Sequence, residues 1–138
     1  MIPPSPASSA DPSDPRPRAA RCHVLVVDDD RDIRETIEEI LQYEGYEVRT
    51  ARNGLEALAV ARESHPGVIL LDLFMPVMDG TEFRRRQVHD RDLADIPVVV
   101  ISAAAGLEER IAALGVAAHL EKPLDLEALF ATVAHYCR

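Results

Sequence analysis

Short apolar runs alternate with amphipathic segments along the chain from residue 21 onward. Most of the apolar runs are rich in β-branched residues, which is typical of strands; they occupy residues 22–27, 46–51, 67–72, 96–103 and 116–121. The segments that follow them repeat apolar residues every three or four positions, which predicts helices, at residues 31–45, 53–64, 80–90, 107–115 and 125–136. The pattern therefore predicts five strand–helix units in succession.

The run at 67–72 and most of the run at 22–27 are apolar at successive positions, which is typical of parallel strands covered on both faces. Right-handed crossovers then place helices on both sides of the sheet. The predicted fold is α/β, a (βα)5 doubly wound three-layer sandwich around a five-stranded parallel sheet in the order 2-1-3-4-5. The alternating run at 46–51 predicts a strand nearer the edge. The apolar face of the last helix is expected in the core: Leu126, Leu129, Phe130 and Val133.

The first twenty residues differ in composition from the rest. They hold six of the ten prolines and almost no large apolar side chain besides Met1 and Ile2. Such a segment buries too little surface to offset its ordering entropy. We therefore expect residues 1–20 to be a disordered tail and residues 21–138 to form one domain.

Charge and hydropathy exclude several classes of protein. The net charge of −9 argues against direct binding of nucleic acid. No run approaches the ~18 continuous apolar residues of a membrane span, so no membrane association is expected. The two cysteines, Cys22 and Cys137, lie near opposite ends without metal-ligand spacing. Their simplest interpretation is a reduced pair in a cytoplasmic protein.

The carboxyl ends of the predicted strands carry polar residues, and function in such sheets collects at that edge. The first strand ends in Asp28, Asp29 and Asp30, the third in Asp72, the fourth in Ser102, and the fifth runs into Lys122. Neighbouring carboxylates repel unless a cation lies between them. Mg²⁺ accepts oxygen ligands and pairs with phosphate, and aspartate can form an acyl phosphate. The strand ends therefore indicate a magnesium-dependent phosphoryl site with Asp72 as the nucleophile.

Simpler explanations exist for parts of this set. We expect Asp30 and Asp32 to cap the first helix and favour its dipole. Asp28 lies inside the strand end, where capping does not explain it. Lys122 is the only lysine beside fourteen arginines, which favours a role for a compact ammonium.

The ordered set of motifs resembles the receiver domains of two-component response regulators. The motifs are VLVVDDD, VILLDLFMPVMDG, VVVISA and EKP, and the resemblance covers residues 22–138. It implies a phosphorylated switch protein, not an enzyme in the usual sense, that assists its own phosphotransfer and dephosphorylation. The implied donor is a histidine kinase or a histidine phosphotransfer protein, and the implied cofactor is Mg²⁺.

The resemblance assigns a role to each site residue. Asp72 would accept the phosphoryl group, Ser102 would hydrogen-bond it and Lys122 would form an ion pair with it. The implied metal ligands are Asp28, Asp29, Asp72 and the backbone carbonyl of Phe74. A cis bond would precede Pro123. A downstream protein would bind the face formed by helix 4, strand 5 and helix 5.

Two positions depart from the family pattern. His119 stands where the family usually has a Tyr or Phe that turns inward when the Ser or Thr shifts; a plain imidazole and a pH-sensitive switch both remain open. Phe74, two residues after the acceptor, occupies a site that is polar in many relatives. We hypothesise that its ring hinders the attacking water and lengthens the phosphorylated lifetime.

Competing functions remain open at this point. Because the sequence ends a few residues past the last predicted helix, we expect a stand-alone switch. One alternative is a receiver-like interaction module that is never phosphorylated. The less favoured alternative is a Mg²⁺-dependent aspartyl phosphatase, whose second aspartate would occupy the position of Phe74. Nucleotide binding is disfavoured because neither glycine-rich phosphate motif occurs in the sequence.

Overall fold

A computed structural model describes residues 22–75, 77–103 and 107–137 of the 138-residue chain. The predicted tail at residues 1–20 lies outside the described residues. Within them, strand and helix alternate five times, as predicted. The strands are β1 (His23–Val27), β2 (Glu47–Ala51), β3 (Val68–Asp72), β4 (Val98–Ser102) and β5 (Ala118–Glu121).

Each strand is followed by a helix, shorter by one to three residues than the sequence pattern predicts. The helices are α1 (Arg31–Tyr43), α2 (Gly54–Ser64), α3 (Gly80–Val88), α4 (Glu108–Ala113) and α5 (Leu126–Tyr136). Side-chain caps explain four of the starts, because Asp30, Asn53, Asp79 and Asp125 accept hydrogen bonds from backbone N–H groups of the first turns.

The five strands pair in parallel in the order β2-β1-β3-β4-β5, which confirms the predicted topology. β3 is buried along its whole length, whereas β2 lies at an edge and is only half-buried. The order reverses between β1 and β3, and this reversal opens a crevice at the carboxyl ends of the central strands. The sheet thereby places the ends of β1 and β3 side by side.

Two apolar clusters cover the faces of the sheet. One lies between the sheet and helices α2 and α3 and includes Phe83 and Leu93. The other lies between the sheet and helices α1 and α5 and includes Leu41 and Leu129. The prediction that Leu126 is buried is wrong, because its side chain is 47% exposed. The 3.6-residue periodicity places Leu126 on the apolar face of α5, but the part of that face at the first turn is not covered by the sheet.

The structure joins Cys22 and Cys137 in a disulfide, which contradicts the expected reduced pair. Their Cα atoms lie 5.6 Å apart although 115 residues separate them along the chain. The end of α5 returns to the start of β1, and Gly67 packs so closely on the pair that a Cβ there would lie 2.5 Å from the Cys22 sulfur. Cysteine usage therefore does not indicate a reducing compartment.

Among the described residues, every helix is too short or too polar to cross a membrane.

Candidate functional site

The ends of four strands bring the predicted polar residues to one edge of the sheet. Asp28 directly follows β1, Asp72 ends β3, Ser102 ends β4 and Lys122 directly follows β5. Parallel register explains the convergence, since Asp72 pairs with Ile101 and Ser102 pairs with Glu121 on neighbouring strands. Asp28, Asp72 and Ser102 are 3%, 6% and 1% exposed, so three polar side chains are buried at this edge of the sheet.

Three carboxylates converge in this crevice. One oxygen each of Asp28, Asp29 and Asp72 lies within 4.8 Å of the others, with Asp29 exposed and its two neighbours buried. Three negative charges at this separation repel strongly in a low-dielectric setting. A hard cation that accepts carboxylate oxygens and keeps waters fits this donor set, which is the preference of Mg²⁺.

The three consecutive aspartates have different local partners. Asp30 caps α1, accepting hydrogen bonds from the backbone N–H groups of Asp32 and Ile33, as predicted. Asp28 accepts a hydrogen bond from the Asp30 N–H at 2.9 Å through Oδ1. Its Oδ2 points to the lysine instead, and its carbonyl accepts a bond from Arg34 at 2.8 Å. The chain therefore uses Asp30 for the helix and turns Asp28 into the crevice.

Lys122 reaches both buried carboxylates. Its Nζ lies 3.2 Å from Asp28 Oδ2 and 3.8 Å from Asp72 Oδ2, and its side chain is only 18% exposed. The Lys122 backbone N–H donates to the Ser102 carbonyl at 3.0 Å, which fixes the Lys122 backbone beside the end of β4. The bond between Lys122 and Pro123 is cis, as the resemblance implies.

The surroundings of Asp72 disfavour its charge. Burial, and after it the nearby Asp28 carboxylate, raise the pKa of Asp72 to about 6, although Lys122 acts in the opposite direction. The Phe74 N–H also donates to Asp72 Oδ1, at 3.3 Å. One lysine is therefore insufficient to neutralise the crevice, which is the condition under which a bound cation is most strongly favoured.

The loop after Asp72 passes close to the site. Asp79 caps α3 by accepting a bond from the Glu82 N–H. Gly80 is required next to it, because a Cβ there would lie 2.7 Å from the Asp72 carbonyl oxygen. Phe74 and Val77 are 49% and 79% exposed, which leaves two apolar side chains on the rim.

His119 lies in β5, opposite Val100 of β4 and half-buried. Its Nε2 is buried and lacks a hydrogen-bond partner among the described residues. A buried ring nitrogen without a partner costs free energy, so this position is held by packing and not by polar contacts.

Two features of the site were not predicted from the sequence. The Arg34 side chain donates a hydrogen bond to the Asp28 carbonyl. The sequence indicated this contact only through the position of Arg34, one turn into the helix that follows the acidic run. Val77 has a φ of 69°, which is unusual for a β-branched residue. A valine in the sequence does not indicate a positive φ, so this conformation could not be predicted.

Comparison with known proteins identifies the same architecture. The profile of the response regulator receiver domain matches residues 24–134. Response regulator MprA of Mycobacterium sp. (strain KMS) is 40% identical over 110 residues, which is 78% of this chain and 47% of the relative. MprA of Mycobacterium leprae is 38% identical over 112 residues, 80% of this chain and 48% of the relative. The chain spans about half the length of the curated relatives it matches.

Solved structures agree with the sheet order and the helices. The chemotaxis protein CheY4 of Vibrio cholerae has a TM-score of 0.77 and 35% identity, with 83% of this chain and 98% of the other covered. The response regulator protein TrrA of Thermotoga maritima, solved in complex with Mg(2+)-BeF, has a TM-score of 0.75 and 29% identity over the same shares. With the receiver profile spanning β1 to α5 and the acidic crevice at its expected edge, the chain belongs to the response regulator receiver domain family.

Proposed function

We propose that this chain is a phosphorylation-dependent switch of a two-component phosphorelay. Asp72 accepts a phosphoryl group from a phosphohistidine on a histidine kinase or a histidine phosphotransfer protein. The observation that carries the proposal is the burial of Asp72 between a second carboxylate and Lys122 Nζ, 3.8 Å from Asp72 Oδ2. This arrangement brings a nucleophile at the end of β3 and a countercharge directly after β5 together at one edge of the sheet.

The metal ligands proposed for Mg²⁺ are the carboxylates of Asp28, Asp29 and Asp72 together with the backbone carbonyl of Phe74. When bound, the cation neutralises charge that develops on the phosphoryl oxygens. The convergence of three carboxylate oxygens supports this assignment. The role of the Phe74 carbonyl rests on the family resemblance.

The chain's own residues perform the transfer. An Asp72 carboxylate oxygen attacks phosphorus, the bond from phosphorus to the donor's histidine nitrogen breaks, and that nitrogen keeps the electron pair. Lys122 leaves its contact with Asp28 to pair with a phosphoryl oxygen. The Ser102 hydroxyl, at the end of the adjacent strand, hydrogen-bonds another.

Ser102 and His119 form the proposed switch. Movement of Ser102 towards the phosphoryl group opens space beside β5, and the His119 ring then turns inward. The absence of a hydrogen bond to its Nε2 among the described residues supports this movement, because the ring breaks no hydrogen bond at that atom when it turns. The consequence is a changed face of α4, β5 and α5, which a downstream protein recognises.

Phe74 affects how long the phosphorylated state lasts. Its ring is half exposed beside the acceptor, and its backbone N–H contacts Asp72 Oδ1. A bulky apolar side chain at this position obstructs the water that would hydrolyse the acyl phosphate. The phosphatase alternative needs a carboxylic acid here, and a phenyl ring transfers no proton.

Acetyl phosphate as a small donor tests the proposal directly. The intact mass of the wild-type chain is measured after incubation with and without Mg²⁺, alongside Asp72→Asn. We expect a gain of one phosphoryl group that requires Mg²⁺ and is absent in the variant. The matched control is Asp79→Asn, which keeps a side-chain oxygen at the α3 cap and should still be phosphorylated.

Absence of any adduct in a folded chain would refute the switch chemistry. Beryllofluoride, which mimics the phosphoryl group, provides the check that the crevice is competent to bind it. Failure of both reagents would assign the chain to the alternative class, an interaction module that works without phosphorylation. Binding of added phosphate monoesters with turnover would instead indicate the phosphatase.

A further inference from the structure

The ends of α2 and α3 form an open cleft at the edge of the sheet opposite Asp72. Each helix runs back against the direction of the strands, so helix C-termini lie at the strand N-termini. The cleft has a volume of about 680 Å³. This basic cleft is lined by Arg62, Arg85, Arg86, His89, Asp90 and Arg91. It concentrates positive charge in a chain whose net charge is −9.

Two carboxylates hold arginines of the basic cleft in place. Arg62 Nε lies 3.1 Å from Asp90 Oδ2, and Arg86 Nε lies 2.8 Å from Glu82 Oε2. Both contacts use the Nε atom, whereas a guanidinium has five N–H donors. Within the described residues, the terminal nitrogens of both arginines make no hydrogen bond, and they can donate to an incoming acceptor. Both arginine side chains are more than half exposed, at 57% and 51%, so an acceptor can reach them.

The remaining arginines leave the cleft with excess positive charge. Arg85 places two nitrogens on Glu82, at 3.0 and 2.6 Å, and the two arginine contacts hold the pKa of Glu82 down at about 2. Arg91 contacts no carboxylate within the part of the chain that the structure describes. The four arginines that line the cleft thus have two carboxylates, those of Glu82 and Asp90, as ion-pair partners.

We propose that the basic cleft docks an acidic segment of a partner protein. Guanidinium groups pair with carboxylates through two parallel N–H bonds, and Arg62, Arg86 and Arg91 have donors left for such pairs. Three guanidiniums at the ends of two helices, around a wide and shallow opening, match several carboxylates spaced along a peptide. A single small anion is usually enclosed by converging donors, whereas this cleft is open and has a volume of about 680 Å³. The docking surface is separate from the phosphoryl site.

An octaglutamate peptide is a direct probe of this surface. Amide chemical shifts of the ¹⁵N-labelled chain are followed by nuclear magnetic resonance as the peptide is added at low ionic strength. We expect shifts at the C-terminal turns of α2 and α3, and affinity at least tenfold lower in a double variant, Arg86→Ala with Arg91→Ala. The control is Arg49→Ala with Arg52→Ala, since both arginines are exposed, each pairs with one glutamate, and the charge change is identical.

Three outcomes would overturn the proposal. One is an equal loss of affinity in both double variants, which would mean that only net charge matters. Another is a set of shifted amides outside the two helix ends. The third is tighter binding of tripolyphosphate than of the peptide at the same amides, which would assign a small-anion site. If the cleft variant unfolds, Arg91→Glu replaces it, because Arg91 makes no ion pair within the described residues and the same tenfold loss is expected.

Discussion

Replacing Asp72 by asparagine should stabilise this protein in the absence of divalent cations. The carboxyl group has a pKa of about 6 in the folded chain, against 3.8 for the unperturbed group. Burial is the main cause of this raised pKa, and the nearby Asp28 carboxylate is the second. The side chain is almost fully buried, so little solvent screening reduces the effect.

The sign follows from proton linkage. A raised pKa in the folded state contributes stability that is fully present below pH 3.8 and is lost as the pH rises through about 6. Above that range the folded state is destabilised by the full difference between the two pKa values, which corresponds to about 3 kcal/mol. Asparagine has no charge at any pH. We therefore expect Asp72→Asn to be more stable than wild type by up to about 3 kcal/mol at pH 7.5, and by less than about 1 kcal/mol at pH 4.

Urea unfolding in EDTA, followed by circular dichroism, measures the difference in free energy of unfolding between Asp72→Asn and wild type at each pH. The matched control is Asp95→Asn, an exposed carboxylate with the same charge change, for which the free energy of unfolding should differ from wild type by less than about 0.5 kcal/mol. Added Mg²⁺ should stabilise the wild type more than the variant and narrow the gap at pH 7.5. A variant no more stable than wild type at pH 7.5, or a gap that does not change with pH, would refute the electrostatic reasoning.

Three further predictions concern the chain ends and the rim of the site. Reducing the Cys22–Cys137 disulfide with dithiothreitol, or making Cys22→Ser, should lower the free energy of unfolding by up to about 5 kcal/mol, because the bridge closes a loop of 115 residues; identical urea midpoints with and without reductant would contradict this. Val77→Gly should raise Tm by about 2–4 °C, since glycine adopts a positive φ without strain, whereas Val77→Ala should not, and equal values for both would argue against backbone strain. Phe74→Asn should shorten the half-life of the phosphorylated chain, measured by intact mass after removal of acetyl phosphate, and a wild-type half-life of only seconds that the variant leaves unchanged would reject the shielding role.

The sequence by itself determined the fold class and most of the site. Apolar runs such as 67–72 encode a parallel sheet through burial on both faces, which is a local signal. Once the sheet is parallel, every strand end lies at one edge, so the convergence of Asp28, Asp72, Ser102 and Lys122 follows from their positions alone. Caps such as Asp30 are also local, because they satisfy N–H groups two and three residues away.

Only the tertiary structure decided contacts between distant segments. The pairing of Cys22 with Cys137 depends on where α5 ends relative to β1, and 115 residues of topology lie between them. The exposure of Leu126 depends on which part of the α5 surface the sheet covers. The basic cleft requires α2 and α3 to end side by side, so that Arg62 meets Asp90 across 28 residues. Local periodicity indicates which residues favour burial or charge, whereas the packing of whole elements decides which of them meet.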